Sequence, residues 1–390
     1  MRTHAQRGFS LIEAMVSITV SLLLLSGFIT VFMGSSSSYR KNDRNARLND
    51  ELSLGMAHMT EDIEMAGFWA DLLDSALITV DNSATPGVGS LTTAPGNECF
   101  STAGATYSDR SALAAVDNNT SASPTAVPCI SDAYTARASD ILVVKRLNGS
   151  PTRGYDGARV TNYQGLDATG SPPTLTVGRV YVRTNGNFYG SPTPSAPTVG
   201  AMFLQSAAAT TGPVNAVTNI PSVAGNGNGT AANSYSDWEF RTVVYYIRSF
   251  SNVSGDGIPS LCRKTLQGGS PPTMVTECFA QGVETLQVEF GIDTGTDGIP
   301  DYYASAPALT STQIANACAV RVSMVGRSVD LNPSTFDQFS GQTADYTNAK
   351  TYTVANLTAF TPADNLFRRV ISQAIVVRNP TTLRVVINRS

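Results

Sequence analysis

Histidine is nearly missing from this chain. There are two among 390 residues, His4 and His58, and no histidine follows position 58. A Ser-His-Asp triad or a His-ligated zinc site needs histidine in the folded body, so the chain has little material for either. It also has no nucleophile-elbow motif, no phosphate loop and no CxxC pair, which leaves an enzyme as the weakest reading. Charge is scarce as well, at 14%, beside 32 Gly and 20 Pro. That composition fits a loop-rich extracytoplasmic chain better than a cytoplasmic enzyme. A net charge of −4 gives no general attraction to nucleic acid, and no nucleic-acid partner is expected. Cysteine is sparse but odd in number. Five Cys in an exported chain predict disulfides and one thiol left over.

What the chain does have is one long apolar run, within "QRGFSLIEAMVSITVSLLLLSGFITVFMG" at 6–34. From Phe9 to Met33 its single charge is Glu13. As a helix the run is roughly 37 Å long, enough to cross a hydrocarbon core of about 30 Å. Arg2, His4 and Arg7 precede it, and Arg40, Lys41, Arg44 and Arg47 follow it. The basic leader fits a segment held on the cytoplasmic side, while the later charges oppose it, so charge alone orients the span weakly. "FMGSSSS" offers small residues but no A-x-A site, so removal of the run as an ordinary secretory signal is the second reading.

The better match lies before the run. "RGFSLIEAM" resembles the class III signal of type IV pilins and pseudopilins. The resemblance implies that a prepilin peptidase cuts between Gly8 and Phe9 and methylates the new amino terminus. Glu13 becomes the fifth mature residue, and the apolar helix is kept. A carboxylate costs about 2.5–3.5 kcal/mol at the centre of a membrane helix. Pairing with the amino terminus of a neighbouring subunit makes it tolerable and sets the axial stagger between packed helices. The alternative is a plain membrane anchor with a glutamate near the interface.

The helical pattern runs on past the membrane. Leu48, Leu52, Gly55, Met59, Ile63 and Ala66 recur at spacings of three or four and make one apolar stripe. Arg44, Arg47, Asp50, Glu51, Glu61 and Glu64 fall on other faces. Gly67 is a stop signal. "SSSSY" at 35–39 is a poor helix stretch, so a local break or bend is expected there. The organisation that follows is a leader at 1–8, a transmembrane helix at 9–34, its amphipathic continuation at 35–67 and a head at 68–390.

In the head the periodicity changes. "DILVVKRL" from 140, "TLTVGRVYVR" from 174, "WEFRTVVYYIRSF" from 238, "SLCRKTL" from 260, "VETLQVEFGI" from 283, "CAVRVSMVGRS" from 318 and "RRVISQAIVVRN" from 368 read as strands. An antiparallel sheet packed on the long helix buries the apolar faces of both. The fold class is therefore α+β. Residues 82–138 and 148–236 are rich in Ser, Thr, Ala, Asn, Gly and Pro and read as loop-rich insertions. They are either a recognition surface or decoration.

Further motifs narrow the resemblance. "EDIEMAGFW", "VVYYIR…GIPSLCRK", "GVETLQVEFGIDTGTDGIPDYY", "VRVSMVGRS" and "FRRVISQAIVVRN" are similar to the PilW-type minor pilins. The likeness covers the first 70 residues and most of 237–379. It implies a minor subunit that primes pilus assembly and sits at or near the tip. Its partners would be the prepilin peptidase, other minor pilins, the major pilin and a large tip adhesin. It would stay in the inner membrane with a periplasmic head until it enters the extracellular pilus. Two alternatives stand: a minor pseudopilin of a type II secretion system, and an adhesive module acting through the insertions.

Cys262 and Cys278 end two neighbouring predicted strands, so a disulfide is expected there. Cys99 and Cys129 would staple the first insertion, leaving Cys318 as a buried thiol. Two loops share a pattern: "NVSGDGIPS" from Asn252 and "DTGTDGIPD" from Asp293. Asp293, Asp297 and Asp301 form a candidate calcium loop. The loop lacks an acid at its third place, Gly295, and at its twelfth, Ala304. The first loop has one carboxylate, Asp256. A hairpin turn is the preferred reading of both loops, more so of the first, since Asp-Gly between strands is a turn signal.

Overall fold

The computed structural model describes residues 10–70, 72, 78–80, 112–155, 160–161, 175–184, 200–204, 235–269, 273–295, 297–330, 350–364 and 366–379. Gly8, Phe9 and Cys99 lie outside the described residues, as do parts of both insertions.

The chain opens with helix α1, Leu11–Glu64. The strands follow in order: β1 Ile78–Val80, β2 Leu113–Asn119, β3 Ser139–Leu147, β4 Arg153–Tyr155, β5 Val160–Thr161, β6 Val180–Thr184 and β7 Gly200–Leu204. Next come β8 Tyr235–Arg248, β9 Ser260–Gly268, β10 Thr273–Gln281, β11 Val283–Ile292 and β12 Tyr302–Ser305. A short helix α2, Ser311–Ala315, precedes β13 Ala319–Arg327 and β14 Arg368–Val376. The first loop-rich segment thus contributes a strand of its own, β2. The run from 174 contributes only its second half, because residues 177–178 turn.

The expected single sheet is two. The larger has ten strands: six on the path β1-β7-β6-β8-β3-β2, with β9 and then β10, and β4 and then β5, branching from β8. The smaller runs β12-β11-β13-β14. The ladders are antiparallel except β1 with β7, which is parallel. The fourteen-residue β8 is long enough to pair β4 and β6 at its start and β9 at its end, with β3 on the central stretch.

Side chains alternate across a strand, and β3 shows the consequence. Leu142 and Val144 enter the main core with Leu52, Met59, Ile63, Tyr245 and Leu286. Ile141 and Val143 enter a second cluster on the other face with Val127, Ile130, Val244 and Tyr246. A strand covered on both faces reads as an unbroken apolar run, as "ILVV" does.

Polar side chains join the two sheets. β12 pairs only Glu289–Ile292 of β11, so the neighbouring edge of β11 needs other partners. Leu286 N donates to Ser139 Oγ at 3.0 Å, and Val288 N donates to Asp140 Oδ2 at 2.7 Å. Asp140 Oδ1 accepts from Asn118 N at 2.8 Å, so one carboxyl ties β2, β3 and β11 together. Burial pushes the Asp140 carboxyl up to about 7.

Candidate assembly helix and its seat

α1 is one uninterrupted helix of 54 residues, which corrects the expected break at 35–39. Serine costs a helix only about 0.5 kcal/mol per residue against alanine. Once a helix is nucleated on both sides, that cost is too small to open a cooperative ladder.

The first half of α1 exposes its apolar side chains. Leu11 is 81% exposed, Phe28 75% and Phe32 73%. This half is long and apolar enough to cross a membrane. Its polar side chains suit lipid as well. Ser17, Thr19, Ser21, Ser26 and Thr30 each donate to a carbonyl three or four residues back, at 2.7–3.1 Å. No hydroxyl proton among these five is left unsatisfied in hydrocarbon. Glu13 lies in the first turn. An acid there also opposes the positive end of the helix dipole.

The second half carries the predicted stripe into the core. Leu48, Leu52, Met56, Met59, Ile63 and Ala66 are each at most 5% exposed. Their seat is built by β10, β13 and β14. Gly326 of β13 lets the helix approach: a Cβ there would lie 2.8–3.0 Å from carbons of Leu52 and Leu48. Gly55, the small member of the stripe, faces Leu261, Ala280 and Met324. Glu51 Oε2 accepts from Gln281 N at 2.8 Å, satisfying the end of β10. At the far end Gly67 sits at φ 70°, a conformation glycine adopts without strain, and its N–H donates to Lys145 O at 3.0 Å. Asn379 Nδ2 donates to the freed carbonyls of Met65 and Ala66 at 3.3 and 3.2 Å.

The stripe also contains a buried acid that sequence reading missed. Asp62 is 4% exposed. Its Oδ1 accepts from Arg146 Nη2 at 2.8 Å and Nε at 3.1 Å. Its Oδ2 accepts from the Tyr245 hydroxyl at 2.6 Å, with Arg263 Nη1 at 3.8 Å. The acid therefore bolts α1 to β3, β8 and β9. Desolvation with the Asp62 charge beside it pushes the Tyr245 hydroxyl well up. A signal existed: Asp62 stands three residues after Met59 and four before Ala66, inside the apolar face. A second buried acid, Glu284, joins Arg368 through two hydrogen bonds of 2.6 and 2.9 Å, with Arg137 and Arg327 at 3.5 and 3.7 Å. It fixes β14 beside β11 and β13.

Two comparisons meet on this geometry. Residues 3–29 match the prokaryotic N-terminal methylation motif, and residues 244–379 match the model of type IV pilus-assembly protein W. Over these two stretches the chain is similar to a type IV minor pilin of the PilW type. The matches support a type IV pilin-like protein involved in pilus assembly, and the methylation motif implies a prepilin peptidase substrate. No curated protein and no solved structure matches the chain. The PilW match begins within β8 and holds the whole smaller sheet, so it supplies most of the helix seat. Asp62 and Arg146 lie between the two matched stretches, while Tyr245 and Arg263 lie inside the second.

The remaining predicted sites are distributed over the head. Cys262 and Cys278 are bonded, directly opposite one another on β9 and β10. Cys129 is also disulfide-bonded; its predicted partner, Cys99, lies outside the described residues. Cys318 is a buried thiol at the start of β13, 3.4 Å from Gly291 O. The three aspartates of the second repeated loop turn toward their own backbone. Asp293 Oδ2 accepts from Gly298 N at 2.8 Å, Asp297 Oδ1 from Ile299 N at 2.9 Å and Asp301 Oδ2 from Thr294 N at 2.7 Å. The Thr294 hydroxyl and amide hold the Asp301 carboxyl low. Asp256 does the same work in the first loop, accepting from Ser251, Asn252, Val253 and Ile258 N–H groups. Those bonds, that of Ile258 first, lower its pKa to about 2. Among the described residues no group of three or more His, Cys, Asp or Glu side chains is arranged to hold a metal ion.

Proposed function

We propose that this chain is a minor pilin that primes pilus assembly at or near the tip, and that it acts as a structural subunit with no enzymatic step of its own. The observation that carries the reading is one continuous helix serving two environments: an exposed apolar half and a half sealed into a β-rich head. The boundaries proposed are those read from the sequence, with cleavage between Gly8 and Phe9. The mature amino terminus, Phe9, is then four residues before Glu13 in the sequence. In a bundle of packed pilin helices, Glu13 accepts the methylated amino group of a neighbour. Before that, the head hangs in the periplasm from the inner membrane. Its partners are other minor pilins and the major pilin, with a large tip adhesin beyond them.

The motif match supports the cleavage site, and the exposed apolar half supports helix packing outside the head. The test is processing in cells that carry the prepilin peptidase. Gly8→Ala is expected to leave the precursor uncut. Glu13→Ala is expected to be processed and inserted, yet to be depleted from sheared pili. Normal incorporation of Glu13→Ala would overturn the assigned role of the carboxylate.

A further inference from the structure

The smaller sheet has one closed edge and one open edge. On the β11 side the edge is taken by β12 and by the Ser139 and Asp140 side chains. On the other side β14 pairs only β13, in unbroken register. Ser328 N donates to Phe367 O at 2.8 Å, and Val377 N donates to Cys318 O at 2.9 Å. Residues 367 and 377 therefore turn their backbone polar groups to the β13 side. In an antiparallel ladder the odd-numbered residues between them do the same, and the even-numbered ones point the other way. The N–H and C=O groups of Val370, Ser372, Ala374 and Val376 thus line the open edge, and none meets a partner among the described residues. Natural edges are blunted by lysine, proline, a bulge or shortness, and the stretch 369–376 has none of these. Beside the edge a groove runs between β14 and α1. Met56, Ala57, Thr60 and Glu61 line it from the helix, and Ile371 and Gln373 line it from the strand. The small Ala57 and Thr60 leave room there for the side chains of one more strand.

We propose that the chain closes this edge itself, with residues 382–388 added as a strand antiparallel to β14. Residues 380–390, PTTLRVVINRS, lie outside the described residues, and their sequence carries a strand pattern. Leu383, Val385 and Ile387 alternate with Arg384, Val386 and Asn388, so one face is wholly apolar. The chain also leaves β14 in a suitable place. Arg378 Nη2 lies 2.7 Å from Glu64 Oε2, and Asn379 Nδ2 donates to the Met65 and Ala66 carbonyls. These contacts hold the chain against α1, where the edge and its groove begin. A connection over 377–381 is of common length, and it keeps Pro380, which has no N–H to give, out of the ladder. Thr382 then stands opposite Val376. Leu383, Val385 and Ile387 stand opposite Ile375, Gln373 and Ile371 and fill the groove, while Arg384 and Asn388 face solvent. That is the apolar-in, polar-out pattern of a strand at the border of a core. The added ladder satisfies the open edge and removes a template for pairing with another chain.

The test is hydrogen exchange of the full chain in detergent micelles, resolved to single amides. The N–H groups of Ser372, Ala374 and Val376 are expected to exchange at least about tenfold more slowly than unprotected amides. Val385→Asp drives a charge into the groove beside Glu61 and is expected to return them to the unprotected rate. Val386→Asp puts the same charge on the solvent face and is expected to keep the protection. Removal of residues 382–390 is expected to repeat the Val385→Asp result without a misplaced charge. Slow exchange along β13 checks in each variant that the head is folded. Unprotected edge amides in the unsubstituted chain overturn the proposal. Protection that survives both Val385→Asp and the truncation also overturns it, and assigns the edge to a second copy or another chain. Equal loss in Val385→Asp and Val386→Asp overturns the face assigned to the added strand.

Discussion

Two halves of one helix share a backbone and meet opposite surroundings. Between 11 and 33 the side chains are apolar all round and exposed, and the hydroxyls bond within the helix. Between 48 and 66 one stripe is sealed, one acid is buried and the outer face is charged. The difference teaches that the first half is built for an environment outside its own head, while the second half belongs to the head's core. Nothing in the backbone marks the boundary. It lies in which faces are apolar, since a stripe of apolar residues suits a partner on one side and an apolar girdle suits lipid or a helical bundle.

The sharpest way to break this comparison is at Asp62. Removing one member of a buried ion pair costs about 3–5 kcal/mol, because the other charge is left desolvated. Asp62→Ala is expected to lower the thermal midpoint of the head markedly. A charge of the same sign removed from the outer face, as in Glu61→Ala, should shift it by only about 0.5 kcal/mol or less. Equal effects in the two variants would show that Asp62 is not buried in solution.

Apolar truncations give a smaller but more direct contrast. Leu52→Ala empties volume against Gly326 and is expected to cost the head about 2–5 kcal/mol. Leu22→Ala, in the exposed half, should leave head melting unchanged while weakening membrane retention or pilus incorporation. Denaturant unfolding of the head, followed beside membrane fractionation, checks both arms. A Leu22→Ala head that melts early would contradict the separation.

The pH dependence tests the joint between the sheets rather than the helix. The unfolded carboxyl of Asp140 ionises near about 3.9, whereas its folded value is raised to about 7. Between those values the folded state holds a proton that the unfolded state has lost. This contribution is complete below the unfolded value and fades as pH rises through about 7, on the order of a few kcal/mol. Asp140→Asn should flatten stability between pH 4 and 7 if measured by urea unfolding across about that range. Asp256 runs in the opposite sense. Its lowered pKa stabilises above the unfolded value and is lost as pH falls toward about 2. An Asp140→Asn protein with the full slope retained would assign that slope elsewhere.

The smallest expected effect concerns calcium. The Asp293, Asp297 and Asp301 carboxylates already accept N–H groups of their own loop. Adding calcium is therefore expected to leave the head's melting temperature unmoved. A rise on titration would restore the ion-loop reading.

Much of the fold was legible because its signals are local. The strand at 283–292 is observed with the same bounds, and the strand predicted from 368 begins at that residue. The stripe from Leu48 to Ala66 is buried as its spacing implies. β10 was legible only through Cys278, read as the end of a strand beside that of Cys262. Its outward positions carry Thr273, Val275 and Glu277, while Met274, Phe279 and Ala280 pack on the main core, so apolar and polar residues do not alternate clearly enough to mark its bounds. Asp62 was passed over because one acid in a helix reads as solvated unless its partners are known, and those partners lie 84 to 201 residues further on. The candidate assembly residues were legible as a motif, since their meaning lies in spacing alone.

By itself the sequence determined the elements whose logic is periodic or contiguous: an apolar girdle beginning after Gly8, a helical stripe behind it and period-two strands in the head. Only the tertiary structure decided what depends on distant partners. It carried the helix through the serines at 35–38 and split the strands into two sheets. It also turned Asp62, Asp140 and Glu284 inward, where each acid became a tie between elements. The physical reason is that periodicity acts within a few residues, whereas burial and register are settled by whatever the fold brings alongside.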